Sequence, residues 1–194
     1  MIGQRPARVL AQADVCLVLA HVEEGSVCSR SKVMVMLSVY AGLRACEMAG
    51  LTWPMALQAD GSVDCHLRIG DAIAKNSSGR RIPMHSALAI VLRRLHRQLG
   101  HPREGPVIVS TRGGAMTAKG IVNWFAATYR AVGLDGCSSH SGRRTFITRS
   151  ARMLAQVGGS LRDVQELAGH RALTTTERYI EGDRDAQRRL IALL

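Results

Sequence analysis

The sequence predicts one mainly α-helical domain with a small antiparallel β-sheet, an α+β fold. Apolar residues recur at helical spacing through most of the chain, whereas residues 53–84 contain short β-like runs between turn signals. A length of 194 residues suffices for one domain with a substantial core. The hydrophobic content of 46% is typical of a folded globule and argues against an intrinsically disordered basic tail.

Helix boundaries are predicted from capping residues beside the apolar stripes. Ser and Thr are favoured before a helix and Gly after it, and this pattern recurs along the chain. We expect helices over residues 29–40, 44–51, 86–99, 117–133, 140–156 and 160–169, with Ser86 as the cap of the third. The run 174–177 has the form of a capping box, which would place Tyr179 in a small helix. Asp183 would cap a last amphipathic piece.

The β segment is predicted from turn signals at residues 60–61 and 76–79, which flank short runs over residues 63–69 and 80–84. We expect an antiparallel sheet of about three strands there.

A net charge of +11 points to a polyanionic partner. The chain has 26 Lys and Arg against 15 Asp and Glu. Such a surplus favours nucleic acid through counterion release and electrostatic steering, although a generally basic solvated surface is the alternative. Nearly all the basic residues are arginine, which can bind two phosphate oxygens at once. A genome rich in G and C would produce the same bias.

Several other classes of protein are disfavoured. The five cysteines are scattered and contain no Cys-x-x-Cys pair, so zinc or redox chemistry is not indicated and we expect buried thiols in a reducing cytoplasm. The apolar run over residues 9–20 is interrupted by Gln12 and Asp14 and is too short to span a membrane. We therefore expect a cytoplasmic protein with no membrane partner.

Three segments hold residues suited to phosphate chemistry: YAGLRACE at 40–47, SSHSGRRTFIT at 138–148 and LAGHRALTTTERY at 167–179. His140 and Arg143 are three residues apart, so on a helix they share a face and could hold one phosphate. In this order the segments resemble the catalytic domain of the tyrosine recombinases, the phage-integrase family of site-specific DNA recombinases. The residues that match the family's catalytic set are Arg44, Lys75, His140, Arg143, His170 and Tyr179.

The resemblance covers residues 29–180 and implies roles for each match. Tyr179 would attack a phosphodiester of double-stranded DNA and form a 3′-phosphotyrosyl bond. Arg44 and Arg143 would stabilise the nonbridging oxygens, and Lys75 would protonate the leaving 5′ oxygen. His140 could take the tyrosine proton, and His170 could donate to a nonbridging oxygen. No metal or nucleotide cofactor is implied.

Each assignment has a structural alternative. Tyr179 could simply pack in the core, Arg44 could form a helix salt pair with Glu47, and Lys75 could be a solvated hairpin lysine. The two histidines could be structural as well. Arg144 stands where the family often has histidine, so it competes with Arg143 for the arginine role. At the level of the whole protein, the alternatives are a type IB topoisomerase and a non-catalytic DNA-binding regulator or remnant.

The same resemblance predicts organisation and partners. Only 43 residues precede Arg44, which is too few for the family's separate helical DNA-clamping domain. We expect a short helical appendage over residues 1–28 and a catalytic domain over residues 29–194, a layout similar to the short recombinases that invert fimbrial promoters. A homotetramer on paired DNA sites is implied, with accessory DNA-bending proteins as further partners.

Overall fold

The protein is described by a computed structural model over residues 7–23, 28–74, 78–180, 188 and 191–192. Within these residues it is mainly helical with one small antiparallel sheet, which confirms the predicted fold class. The helices and strands, in chain order, are α1 Gln12–Glu23, α2 Cys28–Tyr40, α3 Ala45–Gly50, β1 His66–Ile69, β2 Arg80–Pro83, α4 Ser86–Gln98, α5 Ala118–Ala131, α6 Ser141–Val157, α7 Leu161–Ala168 and α8 Leu173–Glu177.

Helix α2 lies at the centre of the fold and packs against α1, α4 and α6. Buried apolar side chains lie on nearly every side of it, as expected for a helix surrounded by others. In contrast, α4 is amphipathic: Leu88 and Leu92 are fully buried against the core, whereas Arg93 and Arg97 face solvent. Helix α4 thus has one buried leucine face and one exposed arginine face.

The sheet has two strands in the described residues, so the prediction of about three was wrong. Strands β1 and β2 pair in the register His66↔Pro83 to Ile69↔Arg80. The expected extra pairing around residues 60–61 is reduced to a single bridge between Leu57 and Val63. Two backbone bonds flank that bridge, from the amide of Gln58 to the carbonyl of Ser62 and from the amide of Asp64 to the carbonyl of Ala56, and the chain reverses direction between them.

Two predicted helix starts differ from the structure. The cap of α4 is His85, whose Nδ1 accepts from the amide of Ala87, rather than Ser86. The capping box at 174–177 does not form, because α8 already begins after Ala172 and includes these threonines. Tyr179 consequently lies in the turn that follows α8. The predicted final piece that Asp183 would cap lies outside the described residues apart from isolated positions.

Helix α1 belongs to the same apolar core as the rest of the protein. Val15, Val18 and Val22 are buried in the cluster that also contains the α2 side chains. The boundary between the appendage 1–28 and the domain 29–194 stays a prediction. The side chain of Cys28 lies outside the part that the structure describes. The other four cysteines depart from expectation: three are exposed and one is half-buried, so their expected burial was wrong. These residues are Cys16, Cys46, Cys65 and Cys137.

None of the helices in the described residues combines the length and hydropathy that a membrane crossing requires.

Helices α2 and α6 approach each other through glycine. A Cβ on Gly142 would lie 2.1 Å from Oγ of Ser38 on α2, and a Cβ on Gly42 would lie 2.4 Å from Cδ1 of Phe146 on α6. Gly42 also has a positive φ of 61°, which disfavours other residues. These contacts bring the segment after α2 against the first turn of α6, where the predicted site residues begin.

We expect the substitution Gly142→Ala to lower the free energy of unfolding by about 1–3 kcal/mol, because the added methyl group overpacks this helix contact. Urea unfolding followed by circular dichroism measures the change. Gly70→Ala is the matched control, since the nearest atom to its Cβ, Met55 Cε, lies 3.9 Å away. Equal stability of the two variants would show that α2 and α6 are not in such close contact.

Candidate active site

A buried arginine lies at the meeting point of three chain segments. Arg143, in the first turn of α6, is only 2% exposed. Its Nη1 donates to the carbonyl of Gly42 at 2.6 Å, and its Nη2 donates to the carbonyl of Ala168 at 2.6 Å. The two acceptors lie at or just beyond the C-terminal ends of α2 and α7, where carbonyls lack helical partners and carry partial negative charge. They therefore stabilise a buried cation.

Arg143 keeps its charge despite this burial. Removal from water lowers the pKa of its guanidinium to about 10, and repulsion from Arg44 acts in the same direction, while Glu47 opposes them. A pKa of about 10 still leaves the group protonated at pH 7. The fold thus holds a permanent positive charge at the base of the site.

His170 is the third partner of this arginine. Nη2 of Arg143 lies 2.9 Å from Nε2 of His170, and Nδ1 of His170 lies 2.9 Å from Oγ1 of Thr176. Because arginine can only donate, Nε2 must be the acceptor and the ring proton is assigned to Nδ1. Burial, followed by repulsion from Arg143, lowers the pKa of His170 to about 4. The imidazole is accordingly neutral at neutral pH.

A second cluster surrounds the carboxylate of Glu47, which is fully buried. Arg44 bonds to it through Nη1 at 2.9 Å and through its backbone amide at 2.8 Å. Arg80 forms a two-point contact, with Nη1 and Nη2 at 2.8 and 3.0 Å from the two carboxylate oxygens. Burial alone would raise the pKa of Glu47, but the hydrogen bonds and charges of Arg80 and Arg44 outweigh it and hold that pKa below its ordinary value.

Arg80 was missed as a site residue by sequence reasoning, which placed it only in the β-like run over residues 80–84. Its side chain is 5% exposed, and its Nε donates to the carbonyl of Leu167 at 2.8 Å. It thereby joins β2 to α3 and to the end of α7. The available signal was strand alternation: Arg80 lies two residues from the buried Ile82 and so shares its inward face.

Tyr179 packs on this cationic cluster and also opens to solvent. Its ring stacks on that of His170, with centroids 5.5 Å apart and planes at 22°. Thr148 Oγ1 donates to the Tyr179 carbonyl at 3.1 Å and fastens the turn after α8 to α6. The half-buried ring faces a pocket of about 780 Å³ that is also lined by His140, Arg144 and Arg178.

The two adjacent arginines occupy different places. Arg143 is buried among the carbonyls and His170, whereas the guanidinium of half-buried Arg144 lies 6.0 Å from the centre of the Tyr179 ring. The exposed His140 precedes α6 as its N-cap residue and lines the pocket beside Tyr179. The salt pair of Arg44 with Glu47 is present, and the Arg44 side chain is still 16% exposed, so its phosphate role stays a prediction.

The structure therefore brings five of the six predicted site residues to one region: Arg44, His140, Arg143, His170 and Tyr179. Lys75 lies outside the described residues. Close to it in sequence, Ser78 Oγ donates to the Gly169 carbonyl at 3.0 Å, next to His170. Around the described Glu47 carboxylate lie the guanidiniums of Arg44, Arg80 and Arg143, so three positive charges accompany one negative charge and a net positive charge remains.

The buried His170 should make stability depend on pH. Its pKa falls from 6.5 to about 4 on folding, so the unfolded chain binds more protons in this window and stability declines as the pH falls through it. At about 1.4 kcal/mol per pKa unit, the loss is on the order of 3 kcal/mol. Urea unfolding at several pH values between 6.5 and 4 measures it.

The substitution His170→Gln should flatten the pH dependence in that window, whereas His21→Gln, at an exposed position, should keep it. If both variants retain the wild-type slope, the neutral buried state assigned to His170 is wrong.

Comparisons with known proteins identify the family to which the chain is similar. Residues 8–185 match the family model described as the phage integrase family. Tyrosine recombinase XerC of Corynebacterium efficiens is 32% identical over 152 residues, which cover 77% of this chain and 46% of that protein. XerC of Nitrobacter winogradskyi is 35% identical over 116 residues, or 57% of this chain and 35% of the relative. The chain thus spans less than half the length of these relatives.

Solved structures show the same fold. The Tn1549 transposon integrase bound to transposon right end DNA superposes with a TM-score of 0.74 at 20% identity, over 99% of this chain and 67% of that one. A lambda integrase tetramer bound to a Holliday junction gives a TM-score of 0.66 at 21% identity, over 91% and 49% of the two chains. These likenesses confirm the predicted fold, and the family match over most of the chain shows that the protein belongs to the phage integrase family.

Proposed function

We propose that this chain is the catalytic domain of a site-specific DNA recombinase that cleaves and rejoins double-stranded DNA through a bond between Tyr179 and a 3′ phosphate. The contact of the Tyr179 ring with His170, itself bonded to the buried Arg143, is the observation that carries the proposal. It puts the one tyrosine of the matched motif against a preorganised positive charge. Such an arrangement suits nucleophilic attack on a phosphodiester.

In the proposed reaction the phenolic oxygen of Tyr179 attacks the phosphorus while the bond from phosphorus to the 5′ oxygen breaks. His140, in the same pocket as Tyr179, takes the phenolic proton. Lys75 supplies a proton to the departing 5′ oxygen, as the family resemblance implies. A 5′ hydroxyl of the partner duplex then attacks the phosphotyrosyl bond and restores the tyrosine, so no external energy source is consumed.

Arg143 and Arg44 are proposed to stabilise the charge that builds on the nonbridging oxygens. Their guanidiniums are held in place before substrate arrives, by carbonyl groups for Arg143 and by Glu47 for Arg44. Preorganised donors of this kind need little rearrangement during the reaction. In the described arrangement His170 accepts from Arg143, so donation from His170 to a phosphate oxygen requires prior release of Nε2 and uptake of a proton.

Double-stranded DNA is the proposed partner, and four protomers on two DNA sites the proposed assembly. The net charge of +11 supports a polyanionic ligand. The Tn1549 integrase is described in complex with circular intermediate DNA, and lambda integrase as a dimer on a core site and as a tetramer on a Holliday junction. These assemblies support the same arrangement here.

Covalent trapping tests the function. The chain is mixed with nicked duplex fragments of its flanking DNA, so that the freed end diffuses away, and protein-linked DNA is precipitated in detergent and potassium and sequenced. We expect one enriched sequence with the unsubstituted chain and none with Tyr179→Phe. Tyr40→Phe is the matched control, since Tyr40 is also half-buried and its ring contacts that of a histidine, His85, and it should give the same adduct as the unsubstituted chain.

Other outcomes would contradict the proposal in distinct ways. An adduct that survives Tyr179→Phe would exclude this nucleophile. Cleavage and relaxation of supercoiled DNA at random sites would indicate the topoisomerase alternative. Tight DNA binding with no adduct would indicate the regulator or remnant.

The arginine assignment gives a second test. We expect Arg143→Lys to reduce the rate of adduct formation about 100-fold or more, because lysine cannot reproduce the forked contacts to Gly42, Ala168 and His170. Arg144→Lys keeps a charge near the tyrosine ring and should reduce the rate less than about 10-fold. Adduct rates and melting temperatures of both variants show which of the two arginines the reaction requires. A larger effect at Arg144 would reverse the assignment.

A further inference from the structure

Thr176 occupies a position that the proposed reaction does not yet use. It is fully buried, and its Oγ1 lies 2.9 Å from Nδ1 of His170. The residue belongs to α8, and its carbonyl accepts from the amide of Tyr179 at 3.0 Å. The Thr176 side chain thus connects α8, the helix that precedes Tyr179, to His170, on which the Tyr179 ring stacks.

The direction of hydrogen bonding determines what Thr176 does. Arg143 has only donors, so Nε2 of His170 must present a lone pair to it and Nδ1 must carry the proton. That proton needs an acceptor, because His170 is only 8% exposed and water does not replace a lost partner easily at such a site. Oγ1 of Thr176 is the acceptor within reach.

We propose that Thr176 is a positioning residue for the strand-transfer reaction: by accepting the Nδ1 proton it holds His170 in the tautomer that receives Arg143, and it couples the Tyr179 turn to the buried arginine. The inference rests on the proposed function, since it assigns a role in that chemistry. Thr176 acts through His170 and Arg143, not through contact with the DNA phosphate.

The alternative tautomer shows why the hydroxyl matters. A proton on Nε2 would point at the N–H groups of Arg143, so two donors would oppose each other at 2.9 Å and the arginine would lose one of its buried partners. The imidazole plane would also be free to turn. Because the Tyr179 ring stacks on that plane, with centroids 5.5 Å apart, the nucleophile would lose its alignment together with the arginine.

The surrounding charges make the neutral tautomers the relevant states. Burial most of all, and then Arg143 from α6, Arg44 before α3 and Arg80 from β2, disfavour a proton on His170, and Glu47 from α3 opposes them only in part. In the chain without DNA, the histidine therefore cannot avoid the choice of tautomer by becoming doubly protonated near neutral pH. Thr176 decides which nitrogen carries its single proton.

Substitution of the hydroxyl tests the inference. Thr176→Val keeps the branched shape and removes the acceptor, and we expect adduct formation on nicked duplex DNA to slow about 10-fold or more. Thr176→Ser restores the hydroxyl and should recover the rate to within about 3-fold of the unsubstituted chain. Thr174→Val is the matched control, because Thr174 lies in the same short helix but is exposed, and it should leave the rate unchanged.

The tautomer itself is read from the ¹⁵N shifts of the His170 ring in the full chain without DNA, a signal that a merely structural role would not move. We expect a proton on Nδ1 in the unsubstituted and Thr176→Ser chains, and a proton on Nε2 or a mixture in Thr176→Val. Melting temperatures and binding to intact duplex are measured in parallel. The melting temperature of Thr176→Val should fall by a few degrees relative to the Thr174→Val control, because a buried hydrogen bond is lost, while binding to intact duplex should remain close to that of the control.

The outcomes separate this inference from the proposed function. Adduct formation that depends on Tyr179 but is insensitive to Thr176→Val, or a tautomer that does not change, would overturn the positioning role and leave the function standing. If Thr176→Val only lowers the melting temperature and Thr176→Ser rescues neither the rate nor the tautomer, the residue is structural and the inference is wrong. Absence of any adduct from the unsubstituted chain would overturn the proposed function and this role with it.

Discussion

The burial of the Arg143 guanidinium is the constraint on which the rest of the site depends. A charge removed from water is stable only with close partners, and here they come from two distant parts of the chain: Gly42 after α2, and Ala168 and His170 at the end of α7. The ends of α2 and α7 must meet at the first turn of α6 to supply them. The close glycine contact between α2 and α6 is the packing consequence, since a larger residue at Gly142 would hold the helices apart.

The second cluster determines how much of that charge is left for a ligand. Glu47 is fully buried and shared by Arg44 and Arg80, so it compensates one positive charge and leaves the region cationic. The three guanidiniums repel one another: burial is the main cause of the lowered pKa of Arg143, and the charges of Arg44 and Arg80 lower that pKa further. An arriving phosphate would relieve that repulsion. The free protein therefore holds its cations in a geometry that is more favourable with an anion than without one.

Local patterns explain what could be predicted from the sequence and what could not. Apolar periodicity and the caps at Thr117 and Ser160 depend on neighbours in the chain, and the helices they predict are present. The role of Arg80 depends on Glu47, which is distant in sequence, and the role of Thr176 depends on a tertiary contact with His170. Sequence reasoning therefore identified neither as a site residue. The order of the three motifs did predict that their residues lie together around His170, because each motif contributes residues to the site.

The turn that carries Tyr179 is small, and its position is determined by what it touches. Helix α8 has only five residues, too few to be stable by itself, so tertiary contacts must hold it. Those contacts are the bond from Thr148 to the Tyr179 carbonyl, the bond between Thr176 and His170, and the stacked rings. Two of the three involve His170, which also holds Arg143. The position of the proposed nucleophile and the position of the buried Arg143 charge therefore depend on the same residue, His170.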